Sequence, residues 1–363
     1  MNRKEPVIRV MKRDHIENWK GWTIRAVAVV LALLVEALFV FSILKIPPHR
    51  VYSLMWEGAF GNSIYLTDTI FFTAKLLCIA VALAPAFMMR FWNIGGEGQV
   101  LAGALATAIV MVYFSSLPAP LLYLLMFESA VIMGALWGLI PAIFKAKWNV
   151  NETLFTLMMN YVAIQIVNYF YNKWRGNASA LGKLNKGTKA GYLPEILGSD
   201  NVLMVGVVIL LTVLVFLYLN HTRHGYEIAV VGESKNTAKY AGMDVKRVVM
   251  RTMFLSGAVC GICGFMTVAG QDHSVSSSTA GGYGFTAIIV AWLAKFNTLF
   301  MVIISLFIVF LDKGTKHIAD TYAGFDDSAT KIVIGIMLFF VIGSEFFIQY
   351  QLHFRGQKEK EEQ

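Results

Sequence analysis

Apolar stretches of about 20 residues recur from Thr23 to Tyr350, each long enough to cross a ~30 Å hydrocarbon layer as a helix. Lipid cannot pair a bare backbone N–H or C=O, so only helices or a closed barrel can span it. A barrel would need short segments alternating apolar and polar residues; the segments here are long and continuous. The chain is 57% hydrophobic and only 15% charged over 363 residues, with a mean hydropathy of +0.60, more apolar surface than one soluble core can hide. The expected fold is all-α, a polytopic membrane helical bundle of about ten transmembrane helices with a broken-helix central cavity.

Spans are expected at Thr23–Leu44, Asp68–Arg90, Gly95–Phe114, Pro120–Phe144, Glu152–Tyr171, Val202–Leu219, Val249–Ala269, Gly284–Phe296, Leu299–Leu311 and Thr330–Tyr350, with an interfacial or re-entrant stretch at Val51–Leu66. The formal net charge of +8 sits largely beside these spans, which makes it a topology signal rather than a nucleic-acid footprint. Residues 1–22 form a basic tail with Arg3, Lys4, Arg9, Lys12, Arg13 and Lys20, able to lie on the bilayer surface as an amphipathic helix. Residues 23–350 form the transmembrane domain, and 351–363 a second tail with Arg355, Lys358 and Lys360. Ten crossings return both termini to the cytoplasm of a cell whose inner, cytoplasmic membrane holds the chain. The loop 221–247, with Arg223, Lys235, Lys239, Lys246 and Arg247, falls on that same side. The loop 172–201 falls outside despite Lys173, Arg175, Lys183, Lys186 and Lys189.

Within the spans, Gly134-x-x-x-Gly138 and Gly257-x-x-x-Gly261 have the small-residue spacing that lets helices touch closely. Cys78, Cys260 and Cys263 lie in apolar context and read as packable residues rather than as a redox or metal site. Glu36 and Glu128 interrupt apolar runs, where a charge is costly unless it faces a cavity or partner.

Three segments carry more chemistry. Phe91-Trp92-Asn93-Ile94-Gly95-Gly96-Glu97-Gly98-Gln99 places three glycines in four positions between two spans, so the helix is expected to break and line a cavity. Asn93, Glu97 and Gln99 supply polar groups there and Trp92 a flat apolar face; an ordinary turn at the interface is the plain alternative. In the second, Asn151 is placed to cap a helix that Glu152 reinforces, and Asn160 sits deep in the following apolar run, where its amide needs a helix or a polar solute as partner. The third, His224 to Met243, contains a short helical unit from Ser234 to Ala241, opened by a capping residue and closed by Gly242.

Together, Asn93-Ile94-Gly95-x-Glu97-Gly98-Gln99, Asn151-Glu152 with Met159-Asn160-Tyr161, and Gly232 through Asn236, Ala238, Tyr240 and Gly242 followed by Ser256-Gly257 resemble the permease subunits of ABC importers for branched-chain amino acids, ribose and nucleosides. The order holds over roughly residues 60 to 345, and the first motif is most similar to the nucleoside permeases that work with a basic membrane lipoprotein. Two positions depart from that pattern: Ile228 stands where a basic residue is common, and Thr298 follows Asn297 where proline is common. The resemblance implies an importer subunit rather than an enzyme, with a coupling helix at Ser234–Gly242 (Glu233, Ser234, Asn236, Ala238, Tyr240, Gly242) that docks on an ABC ATP-binding subunit. It implies a second permease subunit, an extracellular substrate-binding lipoprotein, and ATP bound on the partner, with no cofactor or metal on this chain and no nucleic-acid partner. For a nucleoside, Asn93, Glu97, Gln99 and Asn160 suit base edges and sugar hydroxyls, while Trp92 and Phe285 suit stacking.

No Walker A loop is present: Gly176 to Gly182-Lys183-Leu184 has one residue too many between its glycines and lacks the Ser or Thr. Two other classes stay in view. An ion-gradient-driven secondary transporter would use Glu36, Glu97 or Glu128 as its ion site. An intramembrane enzyme would need a nucleophile with its base or a metal cluster, and no His-Glu-x-x-His is present. Within the ABC class, a simple sugar or branched-chain amino acid is the alternative solute.

Overall fold

The computed structural model describes residues 8–13, 16–195 and 201–354. The basic residues Arg3, Lys4, Arg355, Lys358 and Lys360 of the two tails lie outside them. The chain forms two compact units, Ser63–Val309 and a unit made from Met1–Asn62 with Phe310–Gln363.

In the larger unit, α3 (Ser63–Met88), α4 (Gly96–Tyr113) and α10 (Val245–Met266) are mostly buried. Around them lie α5 (Ala119–Trp148), α6 (Glu152–Arg175) and α7 (Asn201–His221), which expose most of their apolar side chains. The two glycine motifs pack on each other. A methyl group added at Gly134 would sit 2.4 Å from the Gly257 carbonyl oxygen, and one at Gly261 would sit 2.2 Å from that of Ala130. Any side chain there forces α5 and α10 apart, which is why small residues recur at four-residue spacing. The cysteines belong to the neighbouring α3–α10 seam, where buried Cys78 and Cys263 lie within 3.9 and 3.8 Å of the Val259 and Lys75 carbonyl oxygens.

The segment after α10 departs from a plain helical span. α10 runs on into a π-helical turn, Thr267–Asp272. An irregular stretch then leads to α11, Tyr283–Leu293, whose 11 residues reach only about 16 Å. The crossing expected over Gly284–Phe296 is therefore discontinuous. It follows α3 in the same direction: Thr279 lies beside Lys75, Tyr283 beside Phe72, and Trp292 beside Phe87. Gly281 and Gly282, at φ 72° and 75°, allow the turn into α11 where side chains would be strained. The loop after α6 packs over the π-helical turn: Leu193 N donates to Ala269 O (2.9 Å), Leu184 N to His273 O (2.7 Å), and Tyr192 stacks on His273 at 3.7 Å. Residues 196–200 of the expected 172–201 loop lie outside the described residues.

The smaller unit contains α1 (Asn18–Leu44), α2 (Pro48–Phe60), the latter half of α12 (Thr298–Thr321) and α13 (Asp327–Gln349). The stretch expected to be interfacial forms α2, opened by Pro48 at its first position. α1 packs along α13, and Arg25 Nη2 binds Glu345 Oε1 at 2.6 Å. Glu36 is 1% exposed, and neither carboxylate oxygen has a hydrogen-bond partner among the described residues. The described part of the N-terminal tail is a strand rather than a surface helix: β1 (Ile8–Lys12) pairs antiparallel with β2 (Tyr350–Phe354). Tyr-Gln-Leu-His-Phe alternates apolar and polar residues, and Ile-Arg-Val-Met-Lys does so as far as Val10, a period-2 pattern that suits a ribbon. This pairing brings the start of α1 and the end of α13 together. Nine helices among the described residues are long and apolar enough to cross a membrane, against the ten or so expected; α11 is apolar but too short to count among them.

Candidate functional site

The glycine-rich segment breaks the chain between α3 and α4, and the way α3 ends is specific. Phe91 N donates to Ala86 O and Arg90 N to Phe87 O, both at 2.9 Å, with Arg90 at φ 57°. This is the paired-bond terminus that normally carries a glycine at its left-handed position. Four non-helical residues follow before α4 begins at Gly96.

Buried amides latch the break. Asn160, on α6, accepts from Gly98 N and donates to Ile94 O, each at 2.8 Å. One turn earlier on the same helix, Thr156 Oγ1 accepts from Ile94 N at 3.2 Å. Asn93 Oδ1 accepts from Gly95 N (3.0 Å) and from Gln99 Nε2 (3.3 Å), while its Nδ2 donates to Ser256 Oγ on α10 (3.4 Å). Gln99 Oε1 is left without a partner among the described residues. α6 is held in register by its own start: Asn151 Oδ1 accepts from Leu154 N at 3.2 Å, and Glu152 pairs with Lys145 at 2.7 Å. Asn160 thus finds its partners in the backbone of the break itself.

Glu97 turns the other way, toward the discontinuous crossing. Its Oε1 accepts from Gly282 N and its Oε2 from Gly284 N, both at 2.8 Å. A carboxylate on two backbone donors at a helix start is a favourable charge-assisted arrangement. Glycine at 284 is what permits the approach, since a methyl there would lie 2.3 Å from Glu97 N. Opposite, buried Lys75 donates to Thr279 O at 2.6 Å and lies 5.8 Å from the centroids of the Phe72 and Tyr283 rings. Lys75 is a site residue that sequence reading passed over; a lone lysine inside the apolar Asp68–Arg90 run was the available signal. Thr156 and Thr279 carried no such signal, because hydroxyls are common in helices and loops, and Ser256 was marked only by the resemblance.

Of the expected pathway residues, Asn93, Glu97, Gln99 and Asn160 converge in this buried cluster. Trp92 and Phe285 are the exposed ones, and no ring contact joins them among the described residues. Trp92 stacks instead on Trp292 of α11, centroids 5.2 Å apart and 23° from parallel.

Below the break lie α8 (Arg223–Glu233) and α9 (Lys235–Tyr240). Ser234 Oγ caps α9 by accepting from Thr237 N at 3.2 Å, and Gly242 closes it at φ 77°. Ala238 is fully buried in a cluster with Ala86, Met89, Phe91, Ile228 and Val231. Glu233 and Asn236 are exposed, and Tyr240 is 94% exposed, an aromatic side chain with almost no contact of its own. α8 is tied to α10 by Arg251, whose Nη2 binds Glu227 Oε2 at 2.9 Å and holds the Glu227 carboxyl below its ordinary pKa. Of the other acidic candidates, Glu128 is exposed on the outward side of α5.

The profile of the family described as branched-chain amino acid transport system / permease component matches residues 65–342. The chain is 31% identical over 326 residues to the guanosine ABC transporter permease protein NupP of Bacillus subtilis, covering 88% of this chain and 92% of that one. It is 25% identical to the nucleoside ABC transporter permease protein NupB of Lactococcus lactis, over 90% and 92% of the two chains. It is 28% identical to the glucose ABC transporter permease protein TsgB13 of Haloferax volcanii, over 94% and 92%. A multi-pass helical bundle, a broken helix latched by the asparagines of the recognised motifs, and a match over most of its length place this chain in the branched-chain amino acid transport system permease family, as an ABC transporter permease.

Proposed function

We propose that this permease carries a nucleoside into the cytoplasm by alternating access, driven by a separate ATPase that docks on α9. The observation that carries the mechanical part is the single buried cluster holding Ala238 together with Ala86, Met89 and Phe91. A close-packed cluster transmits displacement rather than absorbing it. A push on α9 therefore reaches the end of α3, two residues before Asn93, where the chain is already broken. Gly232 strengthens the link, since α8 approaches so closely that a methyl there would lie 2.1 Å from Met88 O.

Exposed Tyr240, with Glu233 and Asn236 beside it, supplies the aromatic and polar contacts that commonly anchor a protein partner. The solute pathway in this reading runs along Trp92, Asn93, Glu97, Gln99, Asn160 and Phe285. A second permease chain completes the pore and an external lipoprotein delivers the solute. In this reading α8, α9 and both termini lie in the cytoplasm, the side that favours their basic residues. The likeness to the guanosine permease NupP, at 31% identity, supports a nucleoside, and the likeness to the glucose permease TsgB13, at 28%, makes a sugar the alternative.

Uptake of labelled guanosine, glucose and leucine by cells expressing the complete transporter tests the solute. Guanosine uptake is expected, and import of glucose without guanosine sinks the reading. For the coupling surface, Tyr240→Ala combined with Asn236→Ala is expected to reduce uptake at least about tenfold, the loss of ~1.4 kcal/mol or more of docking energy. The permease should remain at normal level in the membrane. Unchanged uptake removes α9 from the docking site.

A further inference from the structure

α3 and α11 end in the same unusual way, side by side. Lys295 at φ 49° repeats the geometry of Arg90 at φ 57°, and Phe296 N donates to Ala291 O (3.0 Å) as Phe91 N does to Ala86 O. Phe296 is itself left-handed at φ 62°. Side chains in this region cost about 1–2 kcal/mol each, and such strain gathers at functional sites. Here it frames a group of rings: the Trp92–Trp292 stack, with Phe87 edge-on to both indoles at 6.1 and 6.3 Å and Phe296 edge-on to Trp292 at 5.3 Å. Each indole is still 45% exposed. In front of them lies a pocket of about 540 Å³ whose far wall is α8, through Ala229, Gly232 and Glu233, and whose edge carries Arg90. That size suits a small molecule.

We propose that this pocket binds the planar heteroaromatic ring of solute already delivered to the cytoplasm, and that its occupancy slows further transport by bracing α8 against the end of α3. The ring chemistry and the sidedness rest on the proposed nucleoside import. The half-exposed indoles offer flat faces for stacking, which a heteroaromatic base can use and an aliphatic side chain or a sugar ring uses poorly. Arg90 supplies donors and Glu233 acceptors for the polar edge of a base or the hydroxyls of its sugar. The bracing follows from position. Met88 and Gly232 both line the pocket where α3 touches α8, a methyl at Gly232 falling 2.1 Å from Met88 O, and transport as proposed requires that junction to move. A ligand bound there favours whichever state keeps the pocket intact.

The test uses membrane vesicles holding the complete transporter, filled with ATP and either 1 mM guanosine or 1 mM ribose at about the upper end of ordinary substrate affinities. Initial uptake of labelled guanosine is compared as the ratio between the two fillings. For the wild type, internal guanosine should lower uptake about threefold relative to ribose, the effect of a ligand that favours one state over the other. Trp292→Ala, which removes the stack, and Ala229→Phe, which fills the pocket from the α8 side, should each bring the ratio to about one. A wild-type ratio of one overturns the proposal, as does a threefold effect that persists in both variants. If guanosine is not taken up even with ribose inside, the nucleoside reading fails and this inference falls with it, which separates the two failures.

Discussion

The two interruptions in the larger unit are held by different chemistry. At residues 92–95 the backbone is latched by neutral amides and hydroxyls, Asn93, Gln99, Thr156 and Asn160. At 273–284 it is held by ionisable groups, Glu97 on the nitrogens of Gly282 and Gly284 and Lys75 on the carbonyl of Thr279. Neutral bonds give up little when broken in a place where water can enter, whereas a buried charge that loses its partner is strongly penalised. The first break is thus suited to open and close, and the second to stay shut as the fixed wall against which the first moves. Glu97 belongs to both, because it lies on the first turn of α4 and grips the start of α11.

If that contrast is right, removing Glu97 has the largest effect. Glu97→Ala leaves the buried Gly284 N–H without its acceptor, at about 1–3 kcal/mol, and frees the part-buried Gly282 N–H as well, so the yield of folded protein in the membrane should fall together with uptake. Glu97→Gln keeps one acceptor and should recover the yield in part; full yield for Glu97→Ala would show that α11 is placed by packing alone. Asn160 comes next. Asn160→Leu removes two bonds, while Asn160→Asp, with its carboxyl protonated, keeps an acceptor for Gly98 N and a hydroxyl donor for Ile94 O. Uptake should therefore fall by about tenfold or more in the first and less in the second, at ~1 kcal/mol per neutral bond. Equal losses would mean that the amide's role is not to latch the break.

The contrast between breaks also marks what was legible in sequence. The glycine-rich run marked where the helix would break, although only Gly95 lies in the break itself and Gly96 and Gly98 open α4; Asn160 followed from the cost of an amide in an apolar run. The pairing of Gly134 with Gly257 and Gly261 could be prepared for by spacing but not assigned, since spacing names a sticky face and not its partner. The second break was hidden because Tyr283–Leu293 is as apolar as a true span; hydropathy reports where lipid or core can be met, not whether the helix is long enough to pass through. The strand ribbon at the termini was hidden for another reason. Each strand alone is five residues of ordinary tail, and only its partner at the far end of the chain gives it structure.

Two smaller effects sharpen the comparison. Lys75→Met should lower uptake about three- to tenfold by releasing the Thr279 carbonyl, roughly 1 kcal/mol net, and Lys75→Arg should recover part of it; the reverse order would show that lysine length, not charge, sets the wall. The smallest effect concerns the Glu227–Arg251 pair outside the spans. Because the Glu227 carboxyl is held below its ordinary pKa, its stabilising contribution is complete above the ordinary carboxylate range and is lost only as pH falls through the depressed value. Uptake should therefore be insensitive to this pair between pH 6 and 8, a range far from any ordinary carboxylate, while Glu227→Gln lowers it modestly throughout. A drop in the wild type within that window, absent from Glu227→Gln, would show that the pair titrates where it should not.

The ribbon of β1 and β2 has a consequence for how the molecule is made. The smaller unit is assembled from the first and the last parts of the chain, so α1 enters the bilayer long before α13, the helix it packs along, has been synthesised. During that interval Arg25 has no Glu345 and β1 has no strand to pair with. The larger unit, continuous in the chain, is synthesised while the first helix waits, and α13 with β2 then completes the oldest part of the structure. Closing the ribbon is in effect the signature that every helix from α1 to α13 has been made.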